Sequence, residues 1–75
     1  MAHEDIRVKF GKRLRKLRAE HELKQRELAQ KAGISLPYVQ MLEAIKPKKR
    51  KNVTIVTLEK LASAFEMSLS ELLDF

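Results

Sequence analysis

Apolar positions recur along this chain every three to four residues, and no stretch alternates apolar with polar long enough to make a strand. Ile6, Phe10, Leu14 and Leu17 form one such stripe and predict a first helix from about Asp5 to His21. Arg7, Lys9, Lys12, Arg13, Arg15 and Lys16 cover most of the remaining surface of that helix and are expected in solvent. Two shorter helices follow, from about Gln25 to Ala32 and from about Leu36 to Ala44. The fourth runs from about Ile55 to Phe65, with Thr54 as its cap and Leu58, Leu61, Ala62 and Phe65 as its buried face. The fifth runs from about Leu69 to Asp74. It opens on Ser68-Leu69-Ser70-Glu71, where Ser68 and Glu71 are spaced to satisfy each other's backbone N–H groups. The expected fold class is all-α, five helices in a single domain over residues 1–75.

The punctuation between the second and third helices is specific. Gly33 adopts positive φ at no steric cost and so ends a helix, and Ser35 is a good cap for the next one. Pro37 falls in that helix's first turn, where a missing N–H is tolerated. Two short helices joined through a glycine turn meet steeply. Such a corner needs a small residue where the helices approach, here Ala29. It also needs an apolar plug, Ile34, and inward anchors, Val39 and Leu42. The segment from about Gln25 to Ala44 supplies each at its required offset and reads as a helix-turn-helix. An ordinary helical hairpin with a chance match is the bland alternative.

Charge sharpens this picture. The net charge is +6, with fifteen of the sixteen Lys and Arg residues before Val53 and four of the ten acids after Asn52. A basic front and an acidic back point to a polyanionic partner. Residues 45–52, Ile45 to Asn52, hold five cations around Pro47 and read as a loop. The first helix, basic and amphipathic, also has the form of a membrane-surface helix, but the apolar helices after it offer a core instead. No apolar run reaches membrane-spanning length, and Met1 to Asp5 does not open like a signal peptide, so a cytoplasmic protein is expected. There is no cysteine. His3 and His21 are isolated, and neither a metal-ligand spacing, a phosphate loop nor a nucleophile motif is present. No enzyme activity, cofactor or metal is expected.

The chain resembles the lambda-repressor/Cro-like (XRE-type) helix-turn-helix domains from about Val8 to Phe75. The resemblance rests on Leu14-Arg15-Lys16-Leu17-Arg18, the run from Gln25 to Ser35, and Val39 with Leu42-Glu43. It continues through Asn52-Val53-Thr54, the run from Thr57 to Ala62, and the run from Met67 to Leu73. It implies a five-helix bundle whose third helix enters the major groove of double-stranded DNA, usually as a dimer on two half-sites. In that arrangement Arg18 and Glu43 form a structural ion pair. Gln25 and the start of the second helix hold a phosphate. Leu36, Pro37, Gln40 and Met41 face bases, with Tyr38 at the backbone or groove edge. Only Gln40 in that set has an amide able to read adenine. Lys46, Lys48, Lys49, Arg50 and Lys51 lie along phosphates.

The chain departs from the family pattern at Glu22, where a helix-ending glycine is usual, and at Lys24, where Ser or Thr usually caps. Ile45 replaces a common glycine, and the loop from Ala44 to Lys51 is long. A homodimer through the fifth helix, Leu69, Leu72, Leu73 and Phe75, is expected. The reading that follows is a sequence-specific transcriptional regulator. Two others stay open: a protein-interaction module of the same fold, of antitoxin or coactivator type, which apolar Leu36, Pro37 and Met41 would suit, and a non-specific nucleic-acid binder. Tyr38, Phe10, Phe65 and Phe75 form no evident stacking platform for single strands.

Overall fold

The computed structural model describes residues 5–44 and 53–75. Five helices follow one another, α1 (Ile6–Glu20), α2 (Gln25–Ala32), α3 (Leu36–Glu43), α4 (Ile55–Ala64) and α5 (Leu69–Leu72), with no strand among the described residues. Every expected helix is present. Half of the ten ends coincide with the expected bounds, and four, at both ends of α1 and after α3 and α4, fall one residue inside them because the flanking residues serve as caps. Asp5 Oδ1 accepts from the Arg7 N–H at 2.8 Å, Ser35 Oγ from Tyr38 at 3.2 Å, and Thr54 Oγ1 from Thr57 at 3.2 Å. Ser68 and Glu71 satisfy each other reciprocally at 3.1 and 3.0 Å. The Ser68 backbone N–H, and after it the Ser68 hydroxyl, hold the Glu71 carboxyl below its ordinary value. Lys24 has no side-chain acceptor to offer the first turn of α2, so only the reciprocal half of such a cap is made, Glu27 accepting from the Lys24 N–H at 2.9 Å.

The core is one cluster drawn from all five helices: Phe10, Leu14 and Leu17 from α1, Leu28, Ala29 and Ala32 from α2, and Val39 and Leu42 from α3. The α4 segment adds Leu61, Ala62 and its cap Phe65, and α5 adds Leu72. Four sequence expectations change here. Ile6 is 70% exposed rather than part of the α1 stripe, and Val8 is buried in its stead. Arg13 does not lie idle in solvent. Its guanidinium donates to the carbonyls of Glu71 at 2.8 Å and Leu72 at 3.3 Å. The α5 helix stops at Leu72, two residues short of the expected end, and Arg13 satisfies carbonyls of its last turn. Leu72 itself is fully buried and cannot belong to an outward-facing dimer surface, and Leu69 packs partly against the core.

The turns after α1, α2 and α4 repeat one device. After α2, Ile34 N–H bonds back to Ala29 O at 3.0 Å and Gly33 N–H to Gln30 O at 3.3 Å, with Gly33 at φ 69°. After α1, Leu23 bonds to Arg18 O and Glu22 to Ala19 O. After α4, Met67 bonds to Ala62 O and Glu66 to Ser63 O. This is the left-handed helix stop that satisfies the terminal carbonyls. Only one of the three uses glycine, since Glu22 and Glu66 sit at φ 54° and 56°. An L side chain there is strained by about 1–2 kcal/mol.

The position of α3 is locked by one buried charge. Glu43, 5% exposed, accepts from Arg18 Nε at 2.8 Å through Oε2 and from Arg18 Nη2 at 2.8 Å through Oε1. Arg18 Nη1 also holds the Leu23 carbonyl at 3.0 Å, so one guanidinium joins α1, the α1–α2 turn and the end of α3. Hydrogen bonding to Glu43 raises the Arg18 pKa above its ordinary value, ahead of the opposing effect of burial.

Two stability measurements test these features. In chemical denaturation, Glu66→Gly is expected to stabilise the protein by about 1 kcal/mol, raising Tm by about 4–8 °C. Gly33→Ala is expected to destabilise by a similar amount through backbone strain alone, since a Cβ at Gly33 would meet no atom within 4 Å. If both substitutions prove neutral, the left-handed assignments are wrong. Arg18→Met is expected to cost about 3 kcal/mol, because it leaves Glu43 buried without its counter-charge. Adding Glu43→Leu to it should restore most of the loss, and a single-variant loss below about 1 kcal/mol would contradict a buried, working pair.

Candidate nucleic-acid interface

The helix-turn-helix is α2, the Gly33 turn and α3. Ala29, Val39 and Leu42 are buried and Ile34 packs on the core beside them, so the corner is held from inside. With Val39 and Leu42 turned inward, the opposite face of α3 is left to solvent. Pro37 and Gln40 lie there exposed, three residues apart and therefore neighbours on one helix surface. Leu36, Tyr38 and Met41 are half-buried against the core. The four residues expected to face bases thus divide into two that stand clear and two that partly serve packing.

Gln25 opens α2, but its amide is not simply a surface group. Its Nε2 donates to Glu43 Oε1 at 3.2 Å, which adds it to the Arg18–Glu43 pair. That contact was not legible in the sequence, where Gln25 and Glu43 stand eighteen residues apart. Lys24 and Arg26, both exposed, flank Gln25 at the α2 N-terminus, where the helix dipole favours an anion. The sequence pattern gave no reason to single them out beyond their sign. Lys46, Lys48, Lys49, Arg50 and Lys51 lie outside the described residues.

The other surfaces carry different chemistry. An open groove where α4 meets α5 is lined by Glu59, Glu66 and Glu71, the wrong sign for a nucleic acid. Among the described residues no His, Cys, Asp and Glu side chains gather as metal ligands, and no helix is long and apolar enough to cross a membrane.

Comparison with known proteins agrees with this geometry. A model of the Cro/C1-type HTH DNA-binding domain matches residues 13–75. The chain is 36% identical over 69 residues to control protein C.MunI of Mycoplasma sp., covering 91% of this chain and 88% of that protein. It is 37% identical over 67 residues to the HTH-type transcriptional regulator DdrOP3 of Deinococcus deserti, covering 89% of this chain but 49% of that longer protein. Among solved structures, the restriction-modification controller protein C.AhdI from Aeromonas hydrophila superposes with a TM-score of 0.77 at 39% identity, over 88% of this chain and 94% of that one. The hypothetical transcription factor NHTF from Neisseria gives 0.78 at 28% identity, over 97% and 85%. The family match takes in the glycine turn, the capped α3 and the helices that support them, and the chain belongs to the Cro/C1-type helix-turn-helix DNA-binding family.

Proposed function

We propose that this chain is a sequence-specific double-stranded DNA-binding transcription regulator that docks α3 in the major groove. The observation that carries the reading is the outward face of α3, where Pro37 and Gln40 stand clear of a core that holds the rest of the helix rigidly. Gln40 offers the amide that reads an adenine edge, and Pro37 offers apolar contact with a thymine methyl. Leu36 and Met41 contribute at the margin of the contact, and Tyr38 at the backbone. Gln25 holds a phosphate at the start of α2, with Lys24 and Arg26 beside it. Lys46, Lys48, Lys49, Arg50 and Lys51 add further phosphate contacts in this reading. Of the three relatives that match over most of both chains, one is named a hypothetical transcription factor and two are named a control protein and a restriction-modification controller; those two favour the same role here: control of a restriction–modification system. A protein-interaction module is disfavoured because Leu36 and Met41, the apolar residues that suited it, are partly spent on the core.

One helix-turn-helix covers few base pairs, and two half-sites raise both affinity and specificity. A homodimer therefore belongs to the proposal. With Leu72 in the core, the surface available at the α5 end is Leu73 and Phe75, 40% and 49% exposed. The Phe75 ring lies 6.3 Å from that of Phe10, and exposed Ile6 stands one turn before Phe10 on α1.

Duplex binding measured across a salt series, on random DNA and on a selected two-fold site, tests the reading. A preference for the two-fold site is expected. A steep salt dependence with no preference would leave only a non-specific binder. Gln40→Ala should lose about 1–3 kcal/mol of discrimination at one base position and none elsewhere. Neutralising Lys48 to Lys51 should weaken all sequences alike and flatten the salt slope by about 0.9 for each phosphate contact removed. A Leu73→Glu/Phe75→Glu variant should sediment as a monomer and lose the advantage of two half-sites over one. If it stays dimeric, the partner surface lies elsewhere.

A further inference from the structure

We infer that Glu43 is a positioning residue for DNA binding, orienting the Gln25 amide at the start of α2 while it anchors the end of α3. The inference rests on the proposed phosphate contact of Gln25. A side-chain amide has two chemically different ends, and rotation about its last torsion exchanges them almost freely in solvent. A carboxylate paired with a guanidinium can only accept hydrogen bonds. Glu43 therefore takes the NH2 end of Gln25, at 3.2 Å, and fixes which way the amide faces.

An NH2 group has two N–H bonds that diverge at a trigonal angle. With one committed to Glu43 Oε1, the other leaves the contact in a set direction, ready for an anionic oxygen at the N-terminus of α2. The amide thus meets its ligand with its rotamer already chosen, which removes part of the ordering entropy that binding would otherwise require.

Charge supports the same role. A carboxylate one hydrogen bond away from a phosphate site would normally repel the phosphate. Here Arg18 engages both carboxylate oxygens, each at 2.8 Å, so the negative charge is matched where it stands. The Arg18–Glu43 pair keeps the start of α2 favourable to an anion while serving as the anchor for Gln25. The residue that ends the base-reading helix is then the one that sets the backbone contact, so a shift of α3 moves both together.

Two measurements test this. Side-chain 15N relaxation on the wild-type protein compares Gln25 with the exposed Gln30 and Gln40. Gln25 is expected to be markedly more ordered, and mobility equal to that of the other two overturns the inference. Duplex affinity is then measured for Gln25→Ala alone and in an Arg18→Met/Glu43→Leu background. Alone, Gln25→Ala should lose roughly tenfold on every sequence. In the background lacking Glu43, the same change should have little further effect. An undiminished tenfold loss there shows that Gln25 works without Glu43 and overturns the positioning role while leaving the phosphate contact standing. No loss from Gln25→Ala in the wild-type background removes the phosphate contact itself, and the inference with it.

Discussion

A carboxylate taken out of water must be matched or it destabilises whatever surrounds it. Glu43 is in that position, and the helix-turn-helix is organised around the match. Arg18 reaches it from α1 with both a bidentate fork and a third bond to the α1–α2 turn, and Gln25 reaches it from α2. Three helices, α1, α2 and α3, therefore converge on one group at the end of α3. Replacing the pair with apolar residues of similar volume need not weaken the fold, so its value lies in direction more than in energy. Apolar contacts such as Val39 and Leu42 hold α3 to the core, but they tolerate small slides and rotations. A bidentate guanidinium tolerates neither. For a helix that must present Gln40 to a base edge, that difference matters.

The three left-handed turns show the opposite economy. Each closes a helix with the same pair of backbone bonds, yet two place glutamate where glycine fits without strain. The glycine is kept at Gly33, inside the helix-turn-helix, and the strained residues stand at the edges of α1 and α4. The bond pattern is evidently strong enough to impose the conformation on a residue that resists it.

Much of the fold was legible in the sequence for simple reasons. Helical periodicity and capping side chains are local, so Ser35, Thr54 and Ser68 announced the starts of α3, α4 and α5. The offsets from Ala29 to Leu42 announced the corner. What failed were contacts between distant segments. A stripe drawn on α1 alone cannot say where the core ends, so Ile6 was included and Val8 left out. The apolar run at α5 read as a surface patch because nothing local reveals that Arg13 seizes its last carbonyls and that Leu72 completes the core. At the site, the exposure of Gln40 and Pro37 followed from the inward spacing of Val39 and Leu42. The bond between Gln25 and Glu43 did not, because a glutamine in a first helical turn looks the same whether or not a carboxylate from another helix lies beneath it.

The grip of Arg13 on α5 spans 59 residues of chain, and Leu72 enters the core at the same place. Contacts of such separation form late, after the local helices and the nearer pairings have ordered. During synthesis, the segment bearing the helix-turn-helix therefore emerges well before the piece that seals the bundle. Until that piece arrives, the core lacks Leu72 and the backing that α5 gives α4.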